Sequence, residues 1–187
     1  MKLYSWIEFV VALCGLIVLA PVILFLILAI RLDSPGPGLF RQKRIGRHCK
    51  PFTCYKLRTM ASGTPNVPTH DAQSSYITRL GRFLRGTKLD ELPQLWNVVN
   101  REMSFVGPRP CLETQTELIE ERHKRGVFEI LPGITGLAQI QGIDMADPVK
   151  LAEVDAEYVR RRTPRLDVEI IFRTVFGGAG RGDRVRS

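Results

Sequence analysis

The chain has 187 residues, 44% of them hydrophobic, with 27 Lys and Arg against 19 Asp and Glu, giving a formal net charge of +8. This composition excludes a disordered or fibrous chain and fits one globular domain. The basic excess calls for an acidic partner, whether nucleic acid, anionic lipid or a phosphorylated substrate. The four cysteines, Cys14, Cys49, Cys54 and Cys111, form no C-x-x-C units with nearby histidines, and read as reduced thiols rather than zinc ligands or a disulfide frame.

Residues 9–30 contain no charge. As a helix these residues measure about 33 Å, enough to cross a hydrocarbon core of about 30 Å. The run is too long for a secretory signal and lacks a small-residue cleavage site, so the segment is expected to persist. Pro21 lies in its middle, where it removes a backbone donor and kinks a helix at Ala20-Pro21. The segment alone allows two topologies and favours the first: a span merely kinked at Pro21, which the positive-inside rule orients with its basic side in the cytoplasm, or a re-entrant hairpin of two short helices that returns both ends to the cytoplasm.

Asp33-Ser-Pro-Gly-Pro-Gly38 is a turn, and sets a boundary between a membrane segment, 1–36, and a cytoplasmic domain, 37–187. Strands are expected over 39–45 and 52–60, with period-two alternation placing Lys56 and Arg58 on one face, either as a phosphate contact or as solvated charge. Residues 61–75 read as a mobile loop of a length that often covers a site. From Tyr76 a basic amphipathic helix is expected, with Tyr76, Ile77, Leu80, Phe83 and Leu84 apolar and Arg79, Arg82 and Arg85 opposite, packed on a core or lying on anionic lipid.

In 88–100 the residues Leu92, Leu95, Trp96 and Val99 form a helical stripe, and Pro93 is tolerable only in the first turn. Asp90 and Glu91 therefore fall at a helix start. An acidic pair there is ordinarily a cap and a dipole-compatible carboxylate, while nearby cations and free N–H groups also make it a place for phosphate chemistry. Residues 105–110 place Arg109 between two prolines, a fixed cation suited to bidentate phosphate recognition. A polar helix over 112–125 precedes Gly133 and Gly136 around Thr135, a loop where a ligand could approach the backbone. Asp147-Pro148 starts a helix with Leu151, Val154 and Tyr158 inward, and a last helix over 167–176 presents Ile170, Ile171 and Val175 as its apolar face. The basic tail 181–187 is expected to be disordered.

No phosphate loop, dinucleotide fingerprint, zinc-protease motif or nucleophile elbow is present, and no solenoid repeat. Aromatic residues interleave poorly with the arginines, which argues against nucleic acid as the partner.

Four segments together carry a resemblance: Lys56-Leu-Arg-Thr-Met60, Leu89-Asp-Glu-Leu-Pro-Gln-Leu95, Met103-Ser-Phe-Val-Gly-Pro-Arg-Pro110 and Pro132-Gly-Ile-Thr-Gly-Leu-Ala-Gln139. In this order, after one hydrophobic segment with a central proline, they resemble the bacterial sugar transferases that are monotopic phosphoglycosyl transferases, and in size the small members among them. The resemblance implies a helix-rich α+β (α/β) monotopic membrane protein with a re-entrant helix broken at Pro21 and amphipathic interfacial helices. It places the catalytic domain on the cytoplasmic face of the bacterial inner membrane.

The implied activity is transfer of a sugar 1-phosphate from a UDP-sugar to polyprenyl (undecaprenyl) phosphate, with release of UMP. On this sequence Asp90 becomes the nucleophile, forming an aspartyl-phosphosugar, and Glu91 assists; both carboxylates become Mg²⁺ ligands. Arg85 and Arg109, then Lys56 and Arg58, become phosphate contacts, and Gly133 and Thr135 shape the nucleotide pocket. Anionic lipid and downstream glycosyltransferases are the further expected partners. The competing readings are a UDP-releasing glycosyltransferase and a membrane-tethered basic scaffold.

Overall fold

The structure, a computed structural model, describes residues 2–64 and 76–176. Among these it contains seven α-helices and four short strands, a helix-rich α+β fold. The helices are α1 (Lys2–Asp33), α2 (Arg79–Thr87), α3 (Gln94–Val99), α4 (Thr116–Lys124), α5 (Leu137–Ile140), α6 (Pro148–Arg161) and α7 (Pro164–Phe176); the strands are β1 (Leu39–Ile45), β2 (Pro51–Leu57), β3 (Ser104–Val106) and β4 (Gly133–Thr135). Of the expected loop, residues 65–75 lie outside the described residues, as does the basic tail.

The chain divides into two compact units, one holding 2–42 and 53–100, the other 43–52 and the described residues from 101 onward. The boundary expected after the membrane segment does not divide these units, because α1 belongs with β2, α2 and α3.

In the first unit α1 is one 32-residue helix with Pro21 inside it. Helix continues on both sides of the proline. One stripe of α1 is buried, with Ala12, Ile23, Leu26 and Ile30 at 9% exposure or less. Ile23, Leu26 and Ile30 of this stripe pack with Leu57 of β2 and Leu84 of α2, joined by Leu80, Leu89 and Leu92. The other faces remain exposed, among them Val10, Val11, Ile17, Val18, Leu24, Phe25, Leu28 and Leu32. A core helix of a soluble protein would bury most of such a surface, whereas α1 leaves it uncovered.

The last turn of any helix leaves carbonyls without intrahelical donors. The buried Arg58 binds the end of α1: Nη2 donates to Ile30 O (3.3 Å), which also accepts from Ser34 N (3.1 Å), and to Ser34 O (2.7 Å), and Nη1 donates to Pro35 O (2.7 Å), the last two just beyond the helix. This explains why β2 ends at Leu57 rather than continuing to Met60: Arg58 turns back under α1, and Met60 instead forms a lone antiparallel bridge with Ile77. Strand β1 has the expected bounds, and the connection 46–50, with His48 (φ 55) and Cys49 (φ 56) in the left-handed region, is short enough to permit only an antiparallel partner in β2. Helix α2 starts at Arg79, three residues later than expected, capped by the Thr78 hydroxyl, which accepts from Gly81 N.

The second unit has two core clusters. One gathers Cys111, Leu118, Phe128, Ala138, Leu151 and Ala152; the other gathers Val106, Tyr158 and Ile170. Strands β3 and β4 pair in parallel, Ser104 opposite Gly133 and Val106 opposite Thr135. The Tyr158 hydroxyl lies 2.6 Å from Asp167 Oδ1 and 3.1 Å from Val106 O, which ties α6 to α7 and β3. Helix α6 begins as expected, with Asp147 accepting from Lys150 N and Pro148 in the first turn. Helix α7 departs from expectation. Ile170 and Asp167 face inward, whereas Val168, Ile171, Phe172, Val175 and Phe176 form an exposed apolar stripe, because the inward side is already filled by Tyr158 and β3. All four cysteines are free thiols, and burial pushes the Cys111 thiol above its usual range.

Replacing Arg58 by alanine removes the donors to Ser34 O and Pro35 O just past α1 and one of the two donors to Ile30 O, and is expected to cost about 2–4 kcal/mol. Thermal unfolding of the detergent-solubilised protein measures this, with exposed Lys50→Ala as the control expected to stay within about 0.5 kcal/mol; equal midpoints for the two variants would show that the cap carries no stability.

Candidate functional site

Lys88 adopts a left-handed conformation (φ 58) that ends α2 and starts a single 3₁₀ turn, Leu89–Glu91. The carboxylates thus sit on a separate turn before α3 and not in the first turn of that helix, whose first residue is Gln94. Leu89 and Leu92, on either side of the acidic pair, pack into the cluster around the inward stripe of α1. They anchor the turn and fix what lies between them. Asp90 is 8% exposed. Glu91 Oε1 is 2.8 Å from Lys56 Nζ, an ion pair with both side chains largely buried.

The motif at 56–60 resolves into separate duties. Lys56 pairs with Glu91, Leu57 enters the core, Arg58 caps α1, and the buried Thr59 accepts from Arg85 Nε at 2.8 Å. Arg85 is thereby fixed one turn before the carboxylates. The close approach is made possible by Gly81, where a Cβ would overlap the Thr59 carbonyl oxygen. Both terminal nitrogens of Arg58 are engaged by Ile30, Ser34, Pro35 and Ser62 oxygens, so those donors hold the protein together.

Three polar residues near the acidic turn escaped the sequence reading. Asn97 is fully buried and completes the edge of β2, its Nδ2 donating to Thr53 O (2.7 Å) and its Oδ1 accepting from Tyr55 N (3.2 Å). Gln94 is 2% exposed, and its amide nitrogen has no hydrogen-bond partner. Glu91, Gln94 and Asn97 stand three residues apart, the spacing of one helical face, and this polar period inside an otherwise apolar helix was the available signal. The third is Thr59, which nothing in the local pattern marks. Trp96, expected inward, is 47% exposed.

Arg109, Gly133 and Thr135 belong to the second unit. Between Val106 and Leu112, Arg109 alone retains solvent access; its neighbours are buried. Gly133 serves the backbone: a Cβ there would overlap Gly107 N, and one on Gly136 would overlap Gly107 O. The Thr135 hydroxyl lies 2.7 Å from the Thr174 hydroxyl, linking β4 to α7. Both residues thus have structural work that the expected nucleotide pocket did not foresee. Among the described residues no group of three or more His, Cys, Asp or Glu is placed to hold a metal ion.

A profile of the family described as bacterial sugar transferase matches residues 2–180. The exopolysaccharide production protein PSS of Rhizobium leguminosarum bv. phaseoli is 42% identical over 190 residues, covering 91% of this chain and 92% of that protein. The UDP-glucose:undecaprenyl-phosphate glucose-1-phosphate transferase of Escherichia coli (strain K12) is 41% identical over 185 residues, 91% of this chain and 39% of its own length. The protein of the same name from Caulobacter vibrioides is 39% identical over 165 residues, 83% of this chain and 62% of its own length. The chain thus spans less than two thirds of these two transferases and nearly all of the Rhizobium protein.

Gly133→Ala is expected to lower stability by more than about 3 kcal/mol, because the obstructing atoms are backbone and cannot swing aside. Folded yield and thermal midpoint read this out; a stable Gly133→Ala protein with selectively weakened nucleotide binding would instead return the glycine to the ligand pocket.

Proposed function

The chain belongs to the bacterial sugar transferase family, and from that membership we propose that it transfers a sugar 1-phosphate from a UDP-sugar to undecaprenyl phosphate, releasing UMP. The names of the Escherichia coli and Caulobacter relatives point to UDP-glucose as the first donor to try. The observation that carries the reading is the mounting of Asp90 and Glu91 on a turn whose flanking leucines rest on the apolar helix α1. A carboxylate pair seated against the segment that belongs in lipid is where a lipid-borne phosphate can be reached.

In the proposed reaction a carboxylate oxygen of Asp90 attacks the phosphorus that bears the sugar. The P–O bond to UMP breaks, UMP leaves with the electron pair, and an aspartyl-phosphosugar remains. An oxygen of undecaprenyl phosphate then attacks the same phosphorus, the acyl phosphate bond breaks, and the Asp90 carboxylate is restored. Both steps bring an anion to a phosphate, so cations must offset the repulsion. Arg85, held by Thr59, and Arg109, at the surface of a buried turn, are the proposed phosphate contacts, with Lys56 orienting Glu91 through their ion pair.

Asp90 and Glu91 also fit Mg²⁺, which takes one or two carboxylates and completes its shell with substrate oxygens and water, a set that needs no third acidic residue. When bound, the ion would neutralise phosphate charge.

For the membrane we propose a monotopic arrangement, re-entrant at Pro21, on the cytoplasmic face of the inner membrane. It is supported by the contacts of α1 within its own unit. Leu95 of α3 lies 3.6 Å from where a Cβ of Gly15 would be, while Ile30 packs with Leu57 and Leu84. From Gly15 to Ile30 is about 22 Å of helix. A straight span would carry α3, with the buried amides of Gln94 and Asn97, into hydrocarbon. The exposed stripe of α7, and Phe83 and Trp96, suit helices lying at the interface of an anionic membrane. Glycosyltransferases that consume the lipid-linked product are the proposed downstream partners.

Labelled UMP incubated with purified protein, Mg²⁺, a panel of UDP-sugars and no lipid phosphate is expected to exchange into one donor, and Asp90→Asn is expected to reduce exchange at least about 1,000-fold. Exchange retained by Asp90→Asn removes this nucleophile, and release of UDP in full turnover replaces the reading by a glycosyltransferase. In sealed inside-in vesicles, tags at both termini are expected to be protected from protease together; protection of one terminus alone restores a spanning helix.

A further inference from the structure

We propose that Arg122 and Arg44 are positioning residues that hold Arg109 for phosphate recognition; this rests on the role given to Arg109 above. The segment Pro108-Arg109-Pro110 has an unusual shortage of backbone donors, since neither proline carries an N–H. Proline also fixes φ but leaves ψ to be set by whatever the carbonyl oxygen meets. Four consecutive carbonyls here each receive a donor. Pro108 O accepts from Gly133 N (3.0 Å), Arg109 O from Arg122 Nη1 (2.8 Å), Pro110 O from Arg44 Nη1 (3.0 Å) and Cys111 O from Ile45 N (2.9 Å). With φ set by the rings and the carbonyls set by partners on β1, α4 and β4, the backbone beneath Arg109 has little freedom left.

Two of the four donors, Arg122 and Arg44, are buried charges. Arg122 is 1% exposed and Asp155 3%. Arg122 Nε and Nη2 both donate to Asp155 Oδ2, at 3.0 and 2.6 Å, which orients the fork so that Nη1 reaches Arg109 O. A buried ion pair of this kind is often no better for stability than apolar residues of the same volume. What it supplies is direction: a planar guanidinium, clamped on one edge, presents its remaining donor at a fixed angle. A lysine at the same place has one ammonium and cannot span both acceptors in that geometry. The arrangement spends two buried arginines on the main-chain oxygens around one surface arginine, whose own side chain is the part of the segment that meets solvent.

The test is a double-mutant cycle on the full chain, read as kcat/KM for UMP release with undecaprenyl phosphate and the UDP-sugar that supports turnover. Arg109→Ala is expected to lower kcat/KM, and Arg122→Lys to lower it about tenfold, mainly through KM, in the unsubstituted protein but less than about twofold in the Arg109→Ala background. Arg44→Lys, which acts on the next carbonyl, is expected to show the same dependence. Asp155→Asn, which keeps an oxygen acceptor for Arg122, stands in should the lysine variant fail to fold. Full, additive losses in the Arg109→Ala background would mean that these residues only support the fold, and would overturn the proposal while leaving Arg109 in place. Undiminished kcat/KM in Arg109→Ala itself would overturn the role of Arg109 and the positioning with it.

Discussion

An apolar helix that shares only one stripe with its own protein must find another medium for the rest of its surface, and the first unit is organised around that requirement. Ala12, Ile23, Leu26 and Ile30 of α1 are covered by protein, while aliphatic side chains on the remaining faces are not. At about 25 cal/mol per Å² of apolar area, leaving so many large side chains in water would cost more than a small domain has to spare. Lipid removes that cost. The covered stripe then decides what stands beside the membrane, and the leucines on both sides of Asp90 and Glu91 are among the residues it gathers.

The end of the same helix imposes a second demand that reaches the site. The carbonyls of Ser34 and Pro35, just past it, need donors, and Arg58, which also reaches Ile30 O, provides them from the segment just after β2. That segment therefore cannot continue as strand. Lys56, two residues earlier and still on β2, is left to meet Glu91, and Thr59, one residue later, to meet Arg85. Period-two alternation foresaw two cations on one face, but it assumed a strand running past Leu57. The capping of α1, a contact between residues 28 apart, overrode it.

What could be read in advance follows from the range of the forces involved. The long apolar helix, the bounds of β1 and the capped start of α6 were legible because hydropathy, turn residues and caps act within a few positions. The motifs could be recognised as a set, yet the work of each residue inside them could not. Gly133 and Thr135 resembled a ligand loop, and the pattern did not show that the glycine lets β4 meet the backbone of Gly107 or that the threonine meets Thr174. Helix α7 offered apolar residues on more than one face, and only the prior occupation of its inner side by Tyr158 shows why Ile171 and Val175 point outward. Arg44, Arg122 and Asp155 gave no sequence signal. A lone charge in a polar stretch looks the same whether it is solvated or buried.

The two units fix their cations by different means, and the difference has a physical reason. Arginine and lysine lose up to about 2 kcal/mol of side-chain entropy when ordered, a cost that falls on binding if it has not been met in folding. In the first unit the order comes from side-chain partners, Glu91 for Lys56 and Thr59 for Arg85. In the second it comes from the main chain, since the ring constraints of Pro108 and Pro110 and the donors on four carbonyls fix where the Arg109 side chain begins. An anion that must approach a phosphate gains most from charges already in place. A neutralising group that must first be gathered from solution conformations spends its attraction on its own ordering.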